Sequence, residues 1–229
     1  MATPDRDLNT PKKSAFGSLN PLHRLCVVVA LLLMTGCGNT VSTPGPVAPV
    51  PDEVEEANPF QADFQASNSA RSALFDQRRD LDNTPEDTMP GSGIVTYSGV
   101  GSVAMGTTDN SFVALGDATV SINFGTAQVT GTMDNFIGRH VSGAEAQYLG
   151  ALTMAGETGG AAFRDNRFVA DVTGTLTSAD QTIVVNSEMS GGFRGADHET
   201  LFGTSDDGDT VRLNGVVTAG QVQFIGARD

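Results

Sequence analysis

Tryptophan is absent from this 229-residue chain, aromatic residues make up 6% of it, and only two cysteines and three histidines occur. Lysine is missing after Lys13, so every later basic residue is an arginine. Each scarcity excludes something. Without tryptophan and with few other aromatics, strands have no aromatic girdle to seat them in an outer membrane. Without closely spaced cysteine and histidine there is no structural zinc site. No apolar run reaches the roughly 20 residues that a bilayer-spanning helix needs. Charge is just as one-sided. Arg6, Lys12, Lys13 and Arg24 against Asp5 and Asp7 give residues 1–36 a net +2, so the remainder of a −14 chain carries −16. Such a body repels nucleic acid phosphates, and no nucleic-acid partner is expected. What the chain has in plenty is glycine, 27 residues, with ten prolines. That composition suits many short strands and turns better than a helical bundle.

Lys12, Lys13 and Arg24 precede the apolar run from Leu25 to Met34, which stops at the small residues Thr35 and Gly36. This is the charge, apolar core and small-residue layout of a secretory signal over residues 1–36. Met34-Thr35-Gly36-Cys37 resembles the lipobox of bacterial lipoproteins, which implies cleavage before Cys37 and attachment of diacylglycerol to its sulfur. Cys26 would leave with the signal, so the mature chain is expected to form no disulfide and to draw its stability from packing and pairing. Residues 37–58 then read as a tether. The prolines between Gly38 and Pro51 forbid regular pairing and favour extended backbone at about 3.1 Å per residue, and Asp52 to Glu56 add repelling acidic charge. Residues 59–90 read as a short helix and linker. Phe60, Phe64, Ala70, Leu74, Phe75 and Leu81 recur near helical spacing, predicting an amphipathic helix over Ser67 to Asp80, capped by a serine or asparagine and ended by Pro85 and Pro90. Its expected place is a plug or strap across one end of the following domain.

From residue 91 to 229 the period is two. In Asp117-Ala118-Thr119-Val120-Ser121-Ile122-Asn123-Phe124 apolar and polar residues alternate, and Ala127, Val129, Gly131 and Met133 repeat the pattern after Gly125 and Thr126, indicating a tight hairpin. Further strands are expected at Gly93–Gly99, Ala146–Ala155, Ala161–Phe163, Arg167–Leu176, Thr182–Phe193, Thr200–Thr204, Thr210–Thr218 and Gln221–Ile225. Turn formers such as Asp165-Asn166 and Ser205-Asp206-Asp207-Gly208 separate them. The fold class is all-β: an eight-stranded antiparallel up-and-down β-barrel, preceded by the short helix and the disordered tether. Closure removes the exposed sheet edges, and a barrel of this size is just filled by side chains. The polar alternate face must meet water.

Several pieces carry a family likeness. They are Met89 to Gly99 with its Gly-x-x-x-Tyr-x-Gly core, Ala118 to Gly125 leading into Val129-Thr130-Gly131-Thr132, and Gly191-Gly192-Phe193-Arg194-Gly195 leading into Leu201-Phe202-Gly203-Thr204. In this order they resemble the barrel domain of transferrin-binding protein B-like lipoproteins, and are similar also to the C-terminal barrel of factor H-binding protein. Asn123 and Asp197-His198-Glu199 depart from the family pattern. The resemblance implies a barrel fold, an outer-membrane lipid anchor, and display at the cell surface by an outer-membrane translocator. It does not extend to transferrin binding, since one barrel stands here where transferrin receptors have two lobes with handle domains.

Chemistry for catalysis is sparse. His140, beside Arg139 in a glycine-flanked loop, and His198, between Asp197 and Glu199, read as solvated loop residues without metal partners. Asp206-Asp207-Gly208-Asp209 lacks the alternating ligands and distant glutamate of a calcium loop and reads as a hairpin turn. Tyr97 and Tyr148 are the only tyrosines a haem could use, and in strands they read as packing residues. The chain is therefore expected to be no enzyme, with no cofactor, no metal site and unspecified ligand-binding residues. Its function is expected to be that of a binding module on the bacterial envelope for an iron carrier, haem or host protein. The loops Gly138–Gln147 and Asp197–Asp209 are the candidate recognition segments. The alternative is a structural or assembly lipoprotein without a small ligand.

Overall fold

The computed structural model describes residues 58–106, 112–140, 143–159, 166–206 and 210–229. The expected leader, Cys37, most of the expected tether, and the expected strand Ala161–Phe163 lie outside the described residues. One helix, α1 (Gln61–Arg79), is followed by ten strands: β1 (Ile94–Met105), β2 (Phe112–Asn123), β3 (Gln128–His140), β4 (Glu145–Thr158), β5 (Arg167–Thr177), β6 (Thr182–Arg194), β7 (Thr200–Ser205), β8 (Thr210–Leu213), β9 (Val216–Thr218) and β10 (Gly220–Arg228).

Neighbours in sequence pair antiparallel from β1 to β6, and β5–β6 together with β10–β1 completes the ring. The eight-stranded barrel is present, with two of its staves broken. Both β7 and β8 pair antiparallel with β6, β7 along Met189–Arg194 and β8 along Ile183–Asn186. They therefore run in the same direction, as two halves of one stave, and residues 207–209 of the expected turn Asp206-Asp207-Gly208-Asp209 lie outside the described residues. The expected strand Thr210–Thr218 is in fact a hairpin. Asn214 and Gly215 both take positive φ, 49° and 82°, as a two-residue turn of the primed type requires, and β9 folds back on β8. The hairpin between β2 and β3 closes over four residues, 124–127, rather than two.

Inside, the alternation is filled by large side chains. Tyr97, Phe136, Phe168, Phe193, Phe224, Leu152, Leu176 and Met189 are all fully buried. Glycines face some of them. A Cβ at Gly138 would stand 2.5 Å from the Phe112 ring and one at Gly203 2.6 Å from Phe168, so the barrel fits because small and large residues oppose each other. The register is not continuous. Opposite Leu115–Asp117 of β2, a bulge between Asp134 and Ile137 with Asn135 at φ 53° gives β3 one extra residue, and against β4 the register shifts between Met133 and Phe136. Inward positions switch there from odd (Val129, Met133) to even (Phe136, Gly138), and Ile137 turns outward.

The outer wall is polar over most of its area, with Thr119, Thr132, Thr153, Asp171, Thr173 and Glu188 exposed. One apolar stripe interrupts it. Val100, Leu115 and Ile137 cluster with the buried Phe64 of α1, and Phe60, Leu74 and Val113 pack at its edge. The helix is thus a strap along the wall, not a plug across an end. It starts at Gln61, six residues earlier than the periodicity indicated, and no side chain at its first residue caps it. Instead Asn58 Oδ1 accepts a hydrogen bond from the Phe60 amide at 3.0 Å. Packing of Phe64 on the barrel decides the start, because a short isolated helix has little stability of its own.

Candidate functional site

The helix begins at one end of the barrel, here termed the rim, where the β3–β4, β5–β6 and β8–β9 connections lie. It ends at the other, the base, with the β2–β3, β4–β5 and β6–β7 connections. The residues singled out from sequence are divided between the two. His140 and Tyr148 stand at the rim, Tyr97 and His198 at the base. Asp206 is exposed, and 207–209 lie outside the described residues. Among the described residues no three His, Cys, Asp or Glu side chains gather as metal ligands.

At the rim a cavity of about 220 Å³ is lined by Phe112, Gly138, His140, Glu145, Tyr148 and Gln181, among others. His140 is the last residue of β3 and Glu145 the first of β4, so the long loop Gly138–Gln147 is mostly strand. The Tyr148 hydroxyl donates to Gln181 Oε1, and burial raises its pKa. Sequence reasoning missed Glu145. Its side chain is 3% exposed, 3.3 Å from Arg139 Nε, and its Oε2 accepts from Asn58 Nδ2 at 3.0 Å. Arg139 lies over the Phe64 ring at 5.6 Å. The pair ties the start of the strap to the barrel, a contact across 87 positions that no local pattern signals.

At the base the expected solvated His198 is buried, at 6% exposure. The Tyr97 hydroxyl, inside the barrel, donates to the His198 carbonyl at 3.0 Å, and Phe124 meets the imidazole edge-on at 5.8 Å. These contacts draw the residue inward although it sits at φ 48° in a turn. Neither ring nitrogen has a hydrogen-bond partner among the described residues. Burial lowers the imidazole pKa, and the nearby Arg228 adds to this against the opposing carboxylates of Asp197 and Glu199. A histidine that resists protonation when folded contributes stability above its unfolded pKa of about 6.5, and the contribution falls away as pH drops through the folded value. His198→Gln should therefore flatten the loss of stability on acidification between about pH 7.5 and 5. Urea midpoints of both proteins across that range give the comparison, and parallel curves would count against a buried neutral imidazole.

Where the strap ends, three arginines come together. Arg194 Nη1 donates to the carbonyls of Leu81 at 3.1 Å and Arg78 at 3.5 Å, meeting the negative end of the helix. The Arg78 guanidinium lies 4.5 Å over the Phe202 ring. Burial lowers its pKa, and the charges of Arg194 and Arg167 lower it further. Beside them opens a cleft of about 360 Å³ lined by Arg78, Arg167, Phe168, Gly191, Phe202 and Thr204, among others. The linker after the helix is stitched to the same end. Thr84 is fully buried and its hydroxyl donates to the Gly195 carbonyl at 2.7 Å.

No family model matches this chain, and no curated protein does. Among solved structures the barrel is similar to transferrin binding protein B of Haemophilus parasuis Hp5. A double mutant of that protein matches at 16% identity and TM-score 0.42 over 64% of this chain and 27% of the other. A single mutant matches at 18% and 0.42, over 65% and 29%. Intact Ap-TbpB, with N and C lobes, matches at 15% and 0.42, over 64% and 28%. This chain thus spans under a third of the length of those proteins. A likeness of that size assigns neither ligand nor partner.

Proposed function

We propose that the chain is a bacterial envelope lipoprotein. Its leader is removed before Cys37, Cys37 carries the lipid, the proline-rich tether spans to the barrel, and the barrel is a non-enzymatic binding module at the outer membrane, facing the cell exterior. The motif likeness to transferrin-binding protein B-like lipoproteins supports the address and the class of ligand: an iron carrier, haem or a host protein. The observation that carries the binding reading is the filled interior. With Tyr97, Phe136, Phe168, Phe193 and Phe224 closing the lumen, recognition has to use the outside, where clefts open at the rim and beside the end of the strap. The two tyrosines stand at opposite ends, so a single haem is not held between them; a protein partner fits the geometry better than haem.

The test is capture on immobilised full chain from serum and from iron-replete medium, alongside a haem titration. Saturable retention of one protein, with no saturable haem band, is expected. Retention of nothing from either source would remove the binding reading. A deletion strain with normal iron uptake but a leaky envelope would instead favour a structural or assembly lipoprotein.

A further inference from the structure

We propose that the cleft flanked by Arg78, Arg167 and Arg194 is an oxyanion site, which takes a carboxylate or phosphoryl group of the ligand. This rests on the binding-module reading and names the chemistry by which the ligand is anchored.

The argument starts from charge. In a body carrying −16 after residue 36, arginines have many carboxylates available. Arg79 pairs with Asp76 at 2.8 Å and Arg139 with Glu145 at 3.3 Å, while Arg71, Arg212 and Arg228 donate instead to Gln223 Oε1, the Gly215 carbonyl and the Asp197 carbonyl. Among the described residues no carboxylate lies within 4 Å of Arg78, Arg167 or Arg194. Three like charges converge without a counterion among the described residues. Helix capping accounts for the contacts of Arg194 only. Arg78 and Arg167 donate no hydrogen bond to any described acceptor, and the Nε atoms of Arg78 and Arg194 are buried without a partner. Such donors are costly to bury unpaired and are satisfied by an acceptor with several oxygens.

The floor of the cleft is shaped for approach. A Cβ on Gly191 would stand 2.0 Å from the Phe202 carbonyl oxygen, and one on Gly192 would stand 2.9 Å from Arg167 Cδ. Only glycines let the strands close here and let the Arg167 side chain cross the sheet. Phe202 holds the Arg78 guanidinium by its ring face, which fixes the plane of the fork before any ligand arrives. The acidity of the whole chain does not oppose such a site. At physiological ionic strength, charges beyond about 8 Å are largely screened, so the local triad sets the potential.

The experiment is a calorimetric titration of the full chain at an ionic strength of about 0.15 M, where the distant carboxylates are screened, with inorganic phosphate, pyrophosphate and citrate. Saturable 1:1 binding is expected, weakened on the order of tenfold by Arg78→Gln and again by Arg167→Gln. Arg212→Gln, which alters an exposed arginine of β8, should leave it unchanged. Preference for pyrophosphate assigns a phosphoryl group, preference for citrate a carboxylate. Absence of saturation with all three anions, or an equal loss in Arg212→Gln, overturns the site. Circular dichroism of each variant checks folding, and since Arg167 is exposed its variant remains informative if the Arg78 variant unfolds. Capture of a protein partner that survives both cleft variants overturns the oxyanion site and leaves the binding module standing. Saturable anion binding with no protein ever captured does the reverse.

Discussion

Replacing Phe193 by alanine is expected to lower stability by about 3–5 kcal/mol, the range for truncating a buried phenylalanine. The ring is 1% exposed and lies 6.0 Å from Tyr97 and 5.9 Å from Phe124, so the cavity left behind is walled by rigid aromatics on β1 and the β2–β3 turn. Those neighbours are held in turn. Tyr97 is fastened through its hydroxyl to the His198 carbonyl, and collapse into the hole would break that hydrogen bond. A domain of this size has a total stability on the order of 5–15 kcal/mol, so the loss is a large share of it. The melting midpoint should fall by on the order of 10 °C. Phe75→Ala makes the comparison sharp. That ring sits on the strap, 5.6 Å from Phe202 on the outer wall, and its loss should cost under half as much. Equal shifts for the two variants, measured by thermal and urea unfolding, would mean that the filled interior is not the main source of stability.

The second large effect concerns residence at the membrane. On the proposed lipoprotein reading, Cys37→Ser is expected to move the protein from the membrane fraction to the soluble fraction, whereas Cys26→Ser should change nothing, because Cys26 would leave with the leader. Each buried methylene of an acyl chain contributes about 0.8 kcal/mol, and one myristoyl chain alone binds only marginally. Diacylglycerol with a further acyl chain on Cys37, as proposed, would therefore make the attachment firm, and losing it would remove the whole term at once. No helix of the described residues is long and apolar enough to substitute as an anchor. Fractionation of cells expressing each variant reads the outcome, and protease shaving of intact cells tells which side the barrel faces. An unchanged distribution of the Cys37 variant would defeat the lipoprotein assignment.

The two predictions draw on different kinds of information. The first needs the structure, since nothing near Phe193 in sequence says that Tyr97, ninety-six positions earlier, lies beside it. The second needs only the residues from Lys12 to Cys37, because a leader is read as an extended chain by its charge and hydropathy.

For the barrel itself, alternation in Asp117–Phe124 and in Thr182–Phe193 was enough to place β2 and β6 and to give an all-antiparallel closed sheet, because a strand with one dry and one wet face has a period of two wherever it lies. Strand ends were less legible. The strand expected over Gly93–Gly99 runs on through Gly101 to Met105 as β1, since Gly101 faces Met133 of β3 and Gly99 lies against the Ile225 carbonyl of the neighbouring β10. At the candidate sites the residues given by type alone, His140, His198, Tyr97 and Tyr148, proved to be two separated pairs.

What the amino-acid order by itself determined was the local periodicity and hence the strands, the existence of a helix before them, and the charge imbalance between residues 1–36 and the remainder. Only tertiary structure decided the switch of facing at Asn135, the dry stripe under Phe64, the burial of His198 and the convergence of Arg78, Arg167 and Arg194. Periodicity is a property of neighbours along the chain. Burial and like-charge convergence are properties of strands brought together by closure of the ring, and no window of adjacent residues contains them.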